Sequence, residues 1–340
     1  MSQHPTLNRF QFTEDLAICP LLNGMWQVSG GHGKINPKQA VAQMFDYVDA
    51  GLTTWDLADH YGPAEDLIGE FRRQLIAQRG AEAWTGVQAL TKWVPRPGEM
   101  SREVVERNVD RALERMDVDC LDLMQFHWWD YGDRRYFDAL GHLADLQTAG
   151  KIKHLALTNF DTEHLQAVLD AGIAIASNQV QFSLIDRRPL VKMAPFCAAR
   201  GVKLLAYGTL GGGLLTEQFL NAGEPSRWSL KTASLGKYKQ MVDVGYGWQL
   251  FQDLLQTLAK IATKHQVSIA NIAVRYVLEQ EAVAGAIVGA RLSIAEHIAE
   301  NLRVFTFQLD DDDDRQLEAV LSQGDDLFAL IGDCGDEYRR

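Results

Sequence analysis

Short, largely apolar runs recur along the chain, each followed by a polar turn and then by apolar residues at helical spacing. The runs are Leu21–Trp26, Leu52–Leu57, Gln88–Lys92, Leu121–His127, His154–Thr158, Ser177–Phe182, Lys203–Tyr207 and Val283–Val288. Runs this short, bounded by turns, suit strands buried on both faces. Helix start signals lie between them. Asn36-Pro37 is an N-cap followed by proline at the first helical position and leads into Ala40–Ala50. Ser101 opens Glu103–Met116, and Asp161-Thr162-Glu163 opens His164–Ala171. Gly51, Gly150, Gly172 and Gly201 stand where helices end before the next strand.

Strands alternating with helices predict parallel pairing through right-handed crossovers. Eight such units without a break predict a closed (β/α)8 TIM barrel, one domain over residues 1–340, with its active site at the C-terminal ends of the strands. An open doubly wound sheet is the competing architecture, but its glycine fingerprint is missing. Val28–Lys34 is glycine-rich and matches neither G-x-G-x-x-G nor G-x-x-x-x-G-K-[ST], so it reads as a flexible loop. Two segments escape the alternation: about 211–247, read as a long loop after the seventh strand, and a C-terminal tail from about 325 to 340. Both are expected to set selectivity.

Composition narrows the function. The net charge is −12, which disfavours phosphate backbones and anionic membranes as main partners. Cys19, Cys120, Cys197 and Cys334 form no C-x-x-C pair, Met1–Phe10 carries no apolar leader core, and no run of about 18 apolar residues occurs. These features predict a cytoplasmic protein. The nine histidines offer no H-E-x-x-H pair, so no metal site is expected. Asp310–Asp314 reads as a helix cap, and Lys264–Leu278, although it has the outline of a helix-turn-helix, as packing helices.

Polar residues at the C-terminal ends of consecutive strands stand out against this background. They are Asp56 and Tyr61 after the second strand, Lys92 after the third and His127 after the fourth. Each alone has an ordinary explanation as a loop cap, packing ring, surface charge or core histidine. Together they make a chemical unit. A phenol near pKa 10 is a poor donor at neutrality, and a neighbouring ammonium lowers that value. Asp56 would hold the lysine charged, and His127 would hydrogen-bond a substrate oxygen. Such a set performs half of a carbonyl reduction; the hydride must come from a nicotinamide cofactor.

Trp55-Asp56-Leu57-Ala58-Asp59-His60-Tyr61-Gly62, Leu90-Thr91-Lys92 and Gln125-Phe126-His127 resemble the signatures of the aldo-keto reductase family, and the resemblance runs from about Leu22 to Phe307. It implies Tyr61 as general acid, Lys92 and Asp56 as its tuning pair, and His127 as the group orienting the carbonyl. It further implies that Thr158, Asn159 and Gln179 contact the nicotinamide carboxamide and that Tyr207 stacks on the ring. Gly208-Thr209-Leu210 departs from the commoner Ser-Pro-Leu, while Leu210 and Gly213 still fit the pyrophosphate segment. Gly289, Arg291, His297, Glu300 and Asn301 resemble the adenosine end, in a stretch about two residues longer than the commonest spacing. An arginine facing the 2′-phosphate favours NADP(H), with NAD(H) second. Trp26, Trp93, Trp128 and Trp129 fall near the same strand ends, and an apolar or aromatic carbonyl compound would suit such walls. Trp26, Trp93 and above all Trp128 are the expected pocket residues.

Two other readings compete. One keeps the barrel and the cofactor but makes the chain an NADPH-binding regulatory subunit with little turnover; the intact set of four argues against it. The other is a metal-assisted hydrolase built on Asp56, His60 and His127, which would require stoichiometric metal.

Overall fold

A computed structural model describes residues 9–339. The chain starts with a small antiparallel hairpin, β1 (Phe10–Gln11) and β2 (Ala17–Ile18). Eight strands follow: β3 (Leu21–Gly24), β4 (Thr54–Asp56), β5 (Gln88–Trp93), β6 (Leu121–Phe126), β7 (Ile152–Thr158), β8 (Ser177–Gln181), β9 (Lys203–Tyr207) and β10 (Val283–Gly289). They pair in parallel in chain order, and β10 closes on β3, so the sheet is a closed barrel of eight strands and not an open doubly wound sheet. Each predicted run coincides with one of these strands to within two residues at either end. The leader-free reading of Met1–Phe10 falls almost wholly outside the described residues.

The helices follow their local signals. Asn36 accepts from the backbone N–H of Lys38 and Gln39 ahead of the helix Pro37–Asp49, and Asp161 accepts from His164 ahead of Thr162–Asp170. Asp310 caps Asp311–Leu321 in a reciprocal capping box with Asp313, so the acidic run is a helix start. Lys264–Leu278 spans the end of the helix Gly247–His265 and all of Ile269–Leu278, two helices packed on one another beside the barrel.

Side chains alternate across each strand, so the barrel interior is layered. At the N-terminal end of the strands, Leu22, Leu90, Leu123, Ala156, Leu205 and Ala284 form an apolar plug. Phe12, Leu16 and Ile18 of the hairpin segment pack against it and close that end. The hairpin is absent from the strand pattern read along the chain. Residues two positions further along the same strands are Lys92, Gln125, Thr158 and Tyr207, and these open the polar layer.

The segment 211–247 is not a structureless loop. It contains short 3-10 turns and the helix Ala233–Gly245, capped by Thr232 accepting from Leu235 N–H. Glycine and serine in that stretch hid a helix whose buried face is Tyr238, Lys239, Met241 and Val242.

Candidate active site

The polar layer is built around Asp56, at the end of β4. Its Oδ1 accepts from Lys92 Nζ at 2.6 Å, from Gln179 Nε2 at 2.7 Å and from Gln125 Nε2 at 3.4 Å. Gln179 also donates to Gln125 Oε1 at 2.8 Å. All four side chains are buried. An isolated ammonium there would be costly, and Asp56 supplies its counter-charge. Burial draws the Lys92 pKa below its ordinary value, and Asp56 opposes that pull. Sequence reasoning missed Gln125; its place two residues above the plug residue Leu123 on an inward-facing row was the available signal.

Tyr61 sits on the turn after β4, and Lys92 Nζ lies 5.0 Å from its ring centre. The pair expected to tune Tyr61, Lys92 and Asp56, does not lower its pKa in this arrangement. Burial first, and the Asp56 charge second, hold the phenol well above its ordinary pKa of 10.

His127 follows β6. Its Nδ1 lies 3.2 Å from the Thr158 carbonyl oxygen. A carbonyl only accepts, so Nδ1 carries the proton and the neutral ring presents Nε2 as an acceptor. Nε2 is buried and has no partner among the described residues. Burial pushes the His127 pKa down to about 4, so the ring is neutral over the physiological range.

The residues expected at the nicotinamide come together. Thr158 Oγ1 donates to the Gln179 carbonyl at 3.2 Å, Asn159 N–H donates to the same carbonyl, and Tyr207 hydroxyl donates to Asn159 Oδ1 at 2.8 Å. Gln179 spends its amide donors on Asp56 and Gln125 in this arrangement. Gly208, Gly211, Gly212 and Gly213, flanking Thr209 and Leu210, all take positive φ. Among the residues expected at the adenosine end, Arg291 and His297 are exposed, and Glu300 and Asn301 lie on the short helix Ile298–Leu302. The Arg291 charge bears on His32 of the glycine-rich loop, and Glu300 Oε1 is buried without a partner. That loop is not free: His32 Nε2 lies 3.2 Å from Ser234 Oγ, and Asn36 N–H donates to Ser293 Oγ at 2.8 Å.

The tryptophans divide differently from expectation. Trp26 packs edge-on to Tyr61 with ring centres 5.2 Å apart, as a pocket wall would. Trp93 is buried against Phe126. Trp128, the preferred wall, instead stacks behind Phe126 and spends its indole N–H on the Asp130 and Asp133 carbonyls. Its neighbour Trp129 takes that place, edge-on to His127 at 4.3 Å. Consecutive residues leaving a strand point to opposite sides, and the strand ends one residue earlier than the predicted run.

Three further side chains cover this cluster. Tyr338 hydroxyl lies 3.0 Å from Tyr207 hydroxyl and receives a hydrogen bond from Lys237 Nζ, and its ring stands edge-on to His127 at 6.2 Å. Lys237 Nζ lies 5.1 Å from the Tyr207 ring centre, and the Tyr238 ring lies against Gly208 and Gly212. The tail carrying Tyr338 is anchored by buried Arg188, which binds Asp186, the Asp333 carbonyl and Glu337. Gly335 passes so close to the Asn159 carbonyl that a Cβ there would lie 2.0 Å from the oxygen, a constraint only glycine meets. No local sequence signal marked Lys237, Tyr238 or Tyr338, because their approach depends on where the tail and the helix Ala233–Gly245 dock.

Among the described residues there is no cluster of three metal-ligating side chains, and no helix is long and apolar enough to cross a membrane. Comparison with known proteins gives consistent matches. Residues 20–322 match the model of the aldo/keto reductase family. A chloroplastic pyridoxal reductase of Arabidopsis thaliana is 23% identical over 89% of this chain and 83% of its own. An NADH-specific methylglyoxal reductase of Escherichia coli is 21% identical over 88% and 94%. In fold, the chain is similar to a glycerol dehydrogenase of Gluconobacter oxydans, with TM-score 0.75, 22% identity and coverage of 95% and 96%. It is also similar to an aldo/keto reductase of Klebsiella pneumoniae solved with NADP and acetate, with TM-score 0.67, 22% identity and coverage of 92% and 95%.

Proposed function

The chain belongs to the aldo/keto reductase family, and from that premise we propose that it reduces an aldehyde or ketone to an alcohol with NADPH as hydride donor and Tyr61 as proton donor. The observation that carries this reading is the convergence of Tyr61, Lys92, Asp56 and His127 at one end of the barrel.

The side chains fit the cofactor on their own chemistry. Asn159 and Gln179 offer amide groups to a carboxamide, Tyr207 offers a ring face, and the positive-φ glycines 208–213 leave backbone open to a diphosphate. Lys237, Tyr238 and Tyr338 cover those surfaces and must move aside. Bound there, the cofactor would supply hydride to the carbonyl carbon.

The protein's own contribution is proton management. Tyr61, held as a neutral phenol, keeps the proton that the carbonyl oxygen must receive. The resulting phenolate would stand beside the Lys92 ammonium, which is held by Asp56, a carboxylate that also accepts from two glutamine amides. Neutral His127 presents Nε2 as an acceptor while Nδ1 faces the Thr158 carbonyl, so to orient a carbonyl oxygen it would have to carry its proton on Nε2 and give up that contact. Trp26 and Trp129, half-exposed, stand edge-on to Tyr61 and His127 and offer apolar walls to the substrate. The same four residues favour turnover over the regulatory-subunit reading.

NADPH preference over NADH is assigned to Arg291, which is exposed and has no ion pair among the described residues. Tryptophan fluorescence titration with each nucleotide tests the cofactor assignment, since Trp26 and Trp129 lie within the site. The expected result is saturable quenching, tighter for NADPH, with the preference reduced in Arg291→Ala. Failure of both nucleotides to bind would remove the hydride source and the reading with it.

A further inference from the structure

Tyr61 is carried on an irregular turn between β4 and the helix Ala64–Arg79, not on a strand. Its backbone makes only short-range turn bonds: Tyr61 N–H to the Ala58 carbonyl, and Ala64 N–H to the Tyr61 carbonyl. Pairing with β5 continues past β4 only as far as Asp59, so Tyr61 itself makes no ladder bond, yet its phenol must stand at a set distance from Lys92. Something else has to hold it.

Arg115, in the last turn of the helix Arg102–Met116, reaches that turn from behind. One guanidinium nitrogen, Nη1, donates to the Asp59 carbonyl at 3.2 Å and to Glu65 Oε2 at 2.9 Å. The other, Nη2, donates to the Gly62 carbonyl at 2.7 Å and to Asp66 Oδ2 at 2.8 Å. Nε donates to Asp66 Oδ1 at 3.1 Å. All five N–H donors of the guanidinium are thereby used, and two of them end on carbonyls that bracket Tyr61. A lysine has three donors and no planar fork, so it cannot reproduce the set.

The clasp is tied directly to the strand that carries Lys92. Glu65 is 1% exposed, and its second oxygen accepts from Thr91 Oγ1 at 2.5 Å. Thr91 immediately precedes Lys92 on β5 and, by strand alternation, faces away from the barrel interior that Lys92 enters. Asp59 N–H donates to the Lys92 carbonyl at 2.9 Å, and Asp59 Oδ2 accepts from Val94 N–H at 3.3 Å. The helices themselves are in near contact. A Cβ on Gly69 would lie 2.2 Å from the Arg115 carbonyl, so Gly69 lets the Arg115 helix approach closely.

We propose that Arg115 is a positioning residue for proton transfer: through Glu65 and Thr91 it fixes the Tyr61 turn against the Lys92 strand. It touches neither substrate nor cofactor and acts only through Tyr61. The inference rests on the reductase reading of the site, and an ångström of misplacement at a reacting group can cost about a hundredfold in rate.

The test uses the full chain as Arg115→Lys, Arg115→Met and a control, Arg72→Met. Arg72 pairs with Asp117 at 2.9 Å, across the same two helices' neighbourhood, without touching the turn. Arg115→Lys is expected to lower kcat at least tenfold, to leave the KM for NADPH within about twofold, and to raise the solvent isotope effect on kcat as proton transfer becomes limiting. Arg115→Met should do the same more strongly, and Arg72→Met should leave all three unchanged.

A second readout does not depend on turnover. The ¹³Cζ resonance of Tyr61, assigned with Tyr61→Phe in tyrosine-labelled protein, should shift in Arg115→Lys and stay in place in Arg72→Met. An unshifted resonance in a folded Arg115→Lys protein overturns the proposal, as does a kcat matching wild type. Absence of any NADPH-linked turnover in the wild-type protein would instead strike the reductase reading, and the resonance would still decide the role of Arg115.

Discussion

Tyr61 is half-buried beside Asp56 and held as a phenol well above its ordinary pKa. A group in that state carries its proton at every pH near neutrality, so carbonyl reduction is expected to be nearly flat from pH 6 to about 9. The reverse reaction needs the phenolate. Alcohol oxidation is therefore expected to rise with pH through that range and beyond it, without a plateau near neutrality. Replacing Tyr61 with Phe removes the proton in both directions and should lower kcat by about a hundredfold or more while NADPH still binds. Initial rates in both directions across that pH range check the assignment; an oxidation rate that ignores pH would show that another group takes the proton. His127 adds no titration there, because its pKa is pushed down to about 4.

At the level of elements, the alternation of apolar runs and helical spacing was sufficient to read all eight barrel strands, since each lies in a short, largely buried run. Asp56, Lys92 and His127 were legible for the same reason: they stand at or just beyond the ends of those runs. The hairpin Phe10–Gln11 with Ala17–Ile18 was not legible, because two-residue strands show no period. The helix Ala233–Gly245 was hidden by its glycines and serines, and Trp128 was misplaced by one residue of register. The tail was out of reach altogether, because its docking is decided by Arg188, Asp186 and Gly335, whose partners are distant in sequence. That docking has a consequence for binding. Tyr338 and Lys237 cover the Tyr207 ring and must leave it before a nicotinamide can stack there. If the covered arrangement holds about nine molecules in ten, removing it tightens the apparent affinity by about tenfold. Tyr338→Ala is accordingly expected to speed NADPH association in stopped-flow fluorescence, and Lys237→Met to act in the same direction. Unchanged association in both variants would mean that the roof is not a barrier.

For the molecule as a whole, the barrel separates what holds it together from what it does. One end is an apolar plug of Leu22, Leu90, Leu123, Ala156, Leu205 and Ala284, sealed by Phe12, Leu16 and Ile18. The other is a hydrogen-bonded polar layer whose charges are compensated pairwise but are costly to bury. Two residues along each strand carry the interior from one regime to the other, as Leu90 gives way to Lys92 and Leu123 to Gln125. Damage at the two ends should therefore be distinguishable. Phe12 is 4% exposed, and truncating a buried phenylalanine costs about 3–5 kcal/mol when the surroundings cannot collapse into the space. Phe12 lies on a peripheral hairpin whose chain can relax, so Phe12→Ala is expected near the lower bound, about 3 kcal/mol. Below the unfolding transition, kcat and KM should match wild type, because the plug layer stands between Phe12 and the polar residues around Asp56. Lys92→Met is the counterpart: it should abolish most turnover and also lower the unfolding free energy by about 3–5 kcal/mol, since it leaves the buried Asp56 carboxylate without its partner. Urea unfolding and steady-state kinetics on both variants check the difference. A Phe12→Ala protein that keeps its midpoint would mean that the hairpin is an appendage, and the plug alone closes the barrel.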